Sequence, residues 1–199
     1  NPDTCQAADV LVLPGSRSTV SDLEWLRRSG IADVVARRAK QGRTVVGICG
    51  GYQMLCRTIL DPDGQETTPG SVVEGLGLLP VEVDFAATKT LALSHGTWRG
   101  IEVGGYEIHH GVCRSLEDAE AFLDGVHVGP VWGTMWHGAF EHDEFRRTWL
   151  ADAARHAGSS WRPHSDELGY QARREAMIET LADALEAHVD VDRILHLVR

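Results

Sequence analysis

The chain has 199 residues, with 19 Lys and Arg against 29 Asp and Glu, a formal net charge of −10 at pH 7. That length suits one α/β domain with a sizeable core, and 43% apolar with 24% charged residues argues against intrinsic disorder. The acidic balance speaks against a nucleic-acid or anionic-membrane partner, and no apolar run approaches the roughly 18 residues of a membrane span or forms a signal peptide. The four cysteines, Cys5, Cys49, Cys56 and Cys113, form no C-x-x-C pair. A disulfide framework or zinc ribbon is therefore not expected, and a reducing cytoplasm is the expected compartment.

In chain order, Asp9 to Pro14 reads as a buried strand, a continuous apolar run bounded by turn residues. Ser21 and Glu24 have the spacing of a capping box that opens a helix, and Gly30 suits its end. Ile31 to Lys40 continues as helix. Thr44 to Ile48 predicts a second buried strand, and Gly50 to Thr58 a helix straight after it. Leu60 to Gly77 reads as a turn-rich excursion, since Gly, Pro, Asp and Thr dominate it. Leu78 to Phe85, Gly105 to His110 and Val126 to Trp136 predict strands. Glu141 to His156 and Ser165 to His188 predict helices, the second with Leu168, Ile178, Leu181 and Leu185 along one face. Strands alternating with helices indicate an α/β layered sheet.

The chemistry concentrates at Gly47-Ile48-Cys49-Gly50-Gly51, between a predicted strand and a predicted helix. A G-x-nucleophile-x-G turn strains its central residue and needs glycine beside it. Cys49 would then sit at a helix N-terminus, where the dipole favours thiolate and lowers the thiol pKa, and the Gly50 N–H would face an oxyanion formed beside the sulfur. The competing reading, a buried structural cysteine, leaves the flanking glycines unexplained. A cysteine nucleophile needs a base. His137, in Trp136-His137-Gly138, ends a predicted strand on the same sheet rim as Cys49. His109 and His110 end another and would border the same cleft, the competing reading for each being a surface or core histidine that holds one hydrogen bond. The histidines and cysteines show no metal-ligand spacing, so no metal is expected.

Six ordered blocks then carry a resemblance: Leu13-Pro-Gly-Ser16 with Asp22-Leu-Glu-Trp-Leu26, Gly47-Ile-Cys-Gly-Gly-Tyr-Gln-Met-Leu55, Asp61-Pro-Asp-Gly64, Glu74-Gly-Leu-Gly-Leu-Leu79, Gly105-Tyr-Glu-Ile-His109 and Trp136-His-Gly138. Over roughly residues 9 to 150 the chain resembles the type 1 glutamine amidotransferase domain of the cobyric acid synthase family. The resemblance implies a flavodoxin-like layered sheet, here with a helical C-terminal tail. It implies residues 1–156 as the amidotransferase domain, without its usual first strand, and 157–199 as a helical extension of it.

Carried over by position, the resemblance makes Cys49 the nucleophile and His137 its base, with the backbone N–H groups of Gly15 and Gly50 as the oxyanion hole. Gln53, Tyr106 and His109 match substrate-side positions, Gln53 being equally readable as an ordinary helix residue. The partners implied are glutamine and an N-terminal ATP-dependent synthetase domain that binds a corrinoid. ATP and Mg²⁺ belong to that domain, and no cofactor is expected in this chain. Two residues after His137, where many relatives of this superfamily carry Glu, stands Ala139. The rival readings are a free-standing glutaminase subunit serving another acceptor, such as a cell-wall lipid precursor, and a non-catalytic module that keeps the fold.

Overall fold

In the computed structural model, which describes residues 1–164 and 168–197, the chain divides into two units, Asn1–Pro163 and His164–Arg199. The first begins with helix α1 (Pro2–Ala7), strand β1 (Leu11–Leu13), helices α2 (Thr19–Arg28) and α3 (Ile31–Lys40), strand β2 (Val45–Ile48) and the short helix α4 (Gly50–Leu55). Strands β3 (Thr58–Asp61), β4 (Ser71–Glu74), β5 (Val81–Trp98), β6 (Ile101–Ser115), β7 (Glu120–Phe122), β8 (Gly125–Val128) and β9 (Val131–Thr134) follow. A 3-10 turn at Ala139–Glu141 leads into α5 (Asp143–His156). The second unit contains α6 (Tyr170–His188) and α7 (Val191–Leu197). Residues 165–167, where the last long helix was expected to begin, lie outside the described residues; Leu168 precedes α6, and Ile178, Leu181 and Leu185 on it are exposed.

One sheet has the order β1-β2-β9-β8-β7, with β1, β2 and β9 parallel and β8 and β7 added antiparallel. Val45 and Val46 point to opposite faces, and both are buried, as a sheet covered on two sides requires. Val45 joins an aliphatic core with Leu23, Val35, Tyr52 and Leu55. Val46 joins an aromatic core with Trp98, Phe122, Trp132, Phe145 and Trp149, in which Trp98 meets Phe122 edge-on at 6.0 Å. A second sheet, β4-β3-β5-β6, stands beside the first. The α/β layering is as expected from the sequence. Among the described residues no helix is long and apolar enough to cross a membrane.

Several element boundaries differ from the expectation, each for a physical reason. Helix α2 starts at Thr19 rather than at Ser21, and the Val20 N–H donates to Glu66 Oε2 at 2.9 Å. A long-range carboxylate thus serves the helix start that a local box was expected to serve. Helix α4 stops at Leu55 because Cys56 turns extended, and Thr58 already belongs to β3. The turn-rich stretch contains the β3–β4 hairpin, and its loop folds around Asp61, fully buried, which accepts N–H bonds from Gln65, Glu66 and Thr67 and the Thr67 hydroxyl. Burial alone would raise the Asp61 carboxyl, but these four donors outweigh it and hold it below the usual range. Strands β5 and β6 run far beyond the predicted pieces, because residues 90–98 pair only with β6, after a register shift between Phe85 and Thr90, and carry no clear apolar alternation. The predicted strand Val126 to Trp136 is a hairpin, broken at Gly129, where φ is +53°.

Helix α4 lies directly on the sheet edge. A Cβ on Gly51 would stand 2.0 Å from the Leu13 carbonyl oxygen, so only glycine lets α4 start here. Gly51→Ala is expected to cost roughly 1–3 kcal/mol of stability through overpacking against backbone, measured by denaturant unfolding. A midpoint equal to that of the unsubstituted chain would contradict this packing.

Candidate active site

The parallel strands β1, β2 and β9 deliver three segments to one rim. Gly15 follows β1, Cys49 follows β2 and His137 comes three residues after β9. Their shared direction makes this the carboxyl edge, where open α/β sheets bind ligands. Cys49 has φ +51° and ψ −112°, a region that non-glycine residues avoid. Its N–H donates to the Thr134 carbonyl at 2.8 Å and its carbonyl accepts from the Gln53 N–H at 3.0 Å. The turn thus holds a strained residue by hydrogen bonds on both sides. Gly50 packs against Ser16, its Cβ position only 2.8 Å from the Ser16 nitrogen.

Burial dominates the thiol. It pushes Cys49 up to about 11, against the pull of the Gly50 N–H, with Cys113, Asp124 and Glu66 adding to the rise. The sequence-based expectation of a lowered pKa at the helix start is therefore corrected. Helix α4 has six residues, too few to offset burial in a wall that is 5% exposed at Cys49.

His137 is held by its neighbours. Its backbone N–H and carbonyl exchange hydrogen bonds with Tyr106 at 2.9 and 3.0 Å, and the Tyr106 ring stacks on the imidazole with centroids 5.1 Å apart. On Gly15 a Cβ would meet the His137 Cε1 at 2.7 Å, so glycine there makes room for the ring. Burial first, then the neighbouring His109, lowers the His137 pKa from its ordinary value, which keeps the imidazole neutral at pH 7. Ala139, at the position two residues on, is buried at the start of the 3-10 turn.

A cavity of about 450 Å³ opens over Cys49, walled by Ser16, Gln53, Glu66, Lys89 and His109 among others. It brings together Cys49, Gln53 and His109; Gly15, Tyr106 and His137 form a second group, in contact with one another but outside that lining. Gln53 is buried, its Oε1 accepting from the Thr19 hydroxyl at 3.1 Å. His110 also lines the cavity, its Nδ1 bonded to the Ala86 carbonyl at 3.0 Å. Among the described residues no three His, Cys, Asp or Glu side chains cluster as a metal would need.

Two residues of this region escaped the sequence reading. Asp124, in the β7–β8 turn, accepts from the Thr134 hydroxyl and from the Met135 N–H at 3.2 Å. The Thr134 oxygen in turn accepts from the Trp136 N–H at 3.0 Å. This clamp fixes the segment leading to His137. The Asp124-Gly125 pair is a hairpin signal, but nothing in it reveals a carboxylate under the site. Glu66 is brought in by the Asp61 loop, whose Asp-Pro-Asp-Gly block is recognisable while its direction is not.

The family described as CobB/CobQ-like glutamine amidotransferase domain matches residues 1–145. Among curated relatives, a cobyric acid synthase of Mycolicibacterium gilvum is 45% identical over 199 residues, covering 100% of this chain and 39% of that protein. Those of Mycobacterium sp. (strain KMS) and Streptomyces coelicolor are 48% and 47% identical, covering 100% and 99% of this chain, and 38% of each relative. The chain thus spans under two fifths of the relatives it matches. A solved structure described as a glutamine amidotransferase superposes with a TM-score of 0.59 at 22% identity, covering 79% of this chain and 84% of that one, a likeness of fold.

The burial of Cys49 has a direct consequence. Its alkylation by iodoacetamide in the ligand-free chain is expected to rise about tenfold per pH unit from pH 7 to 9 without levelling, since only the thiolate reacts. A plateau reached below pH 8, read by mass spectrometry of the Cys49 peptide, would mean that the helix start outweighs burial.

Proposed function

The chain belongs to the CobB/CobQ-like glutamine amidotransferase domain family, and from that premise we propose that it is the glutamine-hydrolysing part of an ATP-dependent amidotransferase. The ammonia released goes to side-chain carboxylates of a corrinoid, in cobyric acid synthesis. The observation that carries the reading is the positive φ of Cys49, buried at a glycine-lined strand-to-helix turn on the rim that also presents His137. A structural cysteine has no need of that strain. The relatives named cobyric acid synthase, each more than twice as long as this chain, favour corrinoid amidation over a cell-wall lipid acceptor.

The chemistry starts from a neutral thiol and a neutral imidazole. As Cys49 Sγ attacks the carboxamide carbon of glutamine, His137 takes the thiol proton. The tetrahedral oxyanion is held by the N–H groups of Gly15 and Gly50, each such donor being worth about 3 kcal/mol of barrier. Collapse breaks the C–N bond, and His137 returns its proton to the departing nitrogen, giving ammonia and a thioester. Water, deprotonated by the same imidazole, then attacks the thioester; glutamate leaves and the thiol is re-formed. Gln53 and Tyr106 line the substrate side, the first anchored by Thr19 and the second stacked on His137. ATP and Mg²⁺ act on an N-terminal synthetase portion, in the cytoplasm.

An electrophilic glutamine analogue is expected to label Cys49 ahead of Cys5, Cys56 and Cys113, because only Cys49 lies in the cavity wall. Peptide mapping decides: equal labelling of Cys56 would remove the nucleophile assignment. In the protein joined to its synthetase portion, His137→Ala is expected to lower glutamine hydrolysis by about two to four decades while ammonia-dependent amidation persists. Unchanged hydrolysis would exclude His137 from the mechanism.

A further inference from the structure

Strand β6 places Glu107 and His109 on one face, two residues apart. Opposite Glu107 on β5 stands Ala92, and opposite His109 stands Thr90, so small side chains leave room for the pair. His109 Nε2 lies 2.9 Å from Glu107 Oε2, with the two side chains 8% and 19% exposed. The other carboxylate oxygen, Oε1, accepts from the Ser94 hydroxyl. Burial alone would raise the Glu107 carboxyl, but the Ser94 and His109 bonds outweigh it and keep it ionised. The second nitrogen of the same ring, Nδ1, is buried and has no hydrogen-bond partner among the described residues. The ring itself lines the cavity over Cys49.

These facts fix the tautomer. A carboxylate only accepts, so the proton must sit on Nε2. A proton on Nδ1 in the neutral ring would leave a buried donor unpaired and set the bare Nε2 against the carboxylate, at a cost of about 1–3 kcal/mol for the orphaned donor alone. The same orphaned donor disfavours a second proton on Nδ1, so the nitrogen left for a ligand is a bare acceptor. Backbone N–H groups at the α4 start and the Gly15 turn offer donors to a carbonyl oxygen; the complementary need of a primary carboxamide is an acceptor for its –NH₂ group.

We propose that His109 Nδ1 accepts a hydrogen bond from the side-chain –NH₂ of glutamine, and that Glu107 is the positioning residue that holds His109 in the tautomer able to do so. The proposal rests on the glutamine-hydrolysis reading and adds the group that recognises the amide nitrogen. It makes the cavity selective for carboxamides over esters of the same size, because an ester oxygen has no N–H to give.

Nitrogen-15 NMR of the Cys49→Ala chain labelled at histidine and glutamine tests both halves, with the His109 signals assigned by their loss in His109→Gln and the Gln53 amide by its loss in Gln53→Ala. In the free chain His109 is expected as the Nε2–H tautomer, retained in Glu107→Gln, whose amide oxygen still accepts, and lost in Glu107→Ala. Adding L-glutamine is expected to move the Nδ1 resonance upfield, whereas the γ-methyl ester of L-glutamate leaves it in place. His109→Gln is expected to weaken glutamine binding about tenfold, the worth of one hydrogen bond. An Nδ1–H tautomer in the free chain overturns the proposal. So does an unmoved Nδ1 signal while the Gln53 side-chain amide shifts, and in that case glutamine hydrolysis still stands. If L-glutamine perturbs neither His109 nor Gln53, both readings fall together.

Discussion

The contact between the start of α4 and the end of β1 is the constraint on which the rest depends. Backbone meets backbone there: the Gly51 Cα stands so close to the Leu13 carbonyl that no side chain fits. With α4 pressed onto the sheet, the residue before it must turn sharply, and the positive φ of Cys49 is the result. The strain, of order 1–3 kcal/mol, is held by the Thr134 and Gln53 hydrogen bonds on either side and by two cores that grip the strands from both faces. The same approach sets Gly50 against Ser16, bringing the turns after β1 and β2 into contact.

His137 is fixed by a different kind of support. In place of a carboxylate at position 139, the stacked Tyr106 ring, a two-way backbone bond and the glycine at position 15 hold the imidazole. Below it the Asp124–Thr134 clamp sets the path of the chain from β9. Burial then acts in opposite directions on the two reacting groups, raising the thiol and lowering the imidazole. Both are neutral at rest near pH 7, so in the proposed reaction the proton moves only when a substrate gives the sulfur something to attack.

Much of this was legible in the residues. The glycines around Cys49 announce a turn because they answer a local steric need, and the apolar runs ending at Leu13 and Ile48 announce parallel strands because both faces are buried. What stayed hidden depends on distant partners. The capping of α2 by Glu66, 46 residues away, leaves no local signature, and the local Ser21–Glu24 spacing pointed elsewhere. The β5–β6 arm has too little burial beyond Phe85 to print an alternation. The Cys49 pKa is set by how much protein covers the sulfur, which a helix-start argument does not contain. Glu107 and His109 were visible as a block, but their pairing required the strand register.

The most direct measurement of the central claim is a crystal structure of the chain alkylated at Cys49 by a diazo-ketone analogue of glutamine. The account predicts the ketone oxygen between the N–H groups of Gly15 and Gly50, with Cys49 still at positive φ and the His137 imidazole beside the sulfur. An adduct whose oxygen points away from both N–H groups, or a Cys49 that relaxes to negative φ, would contradict it.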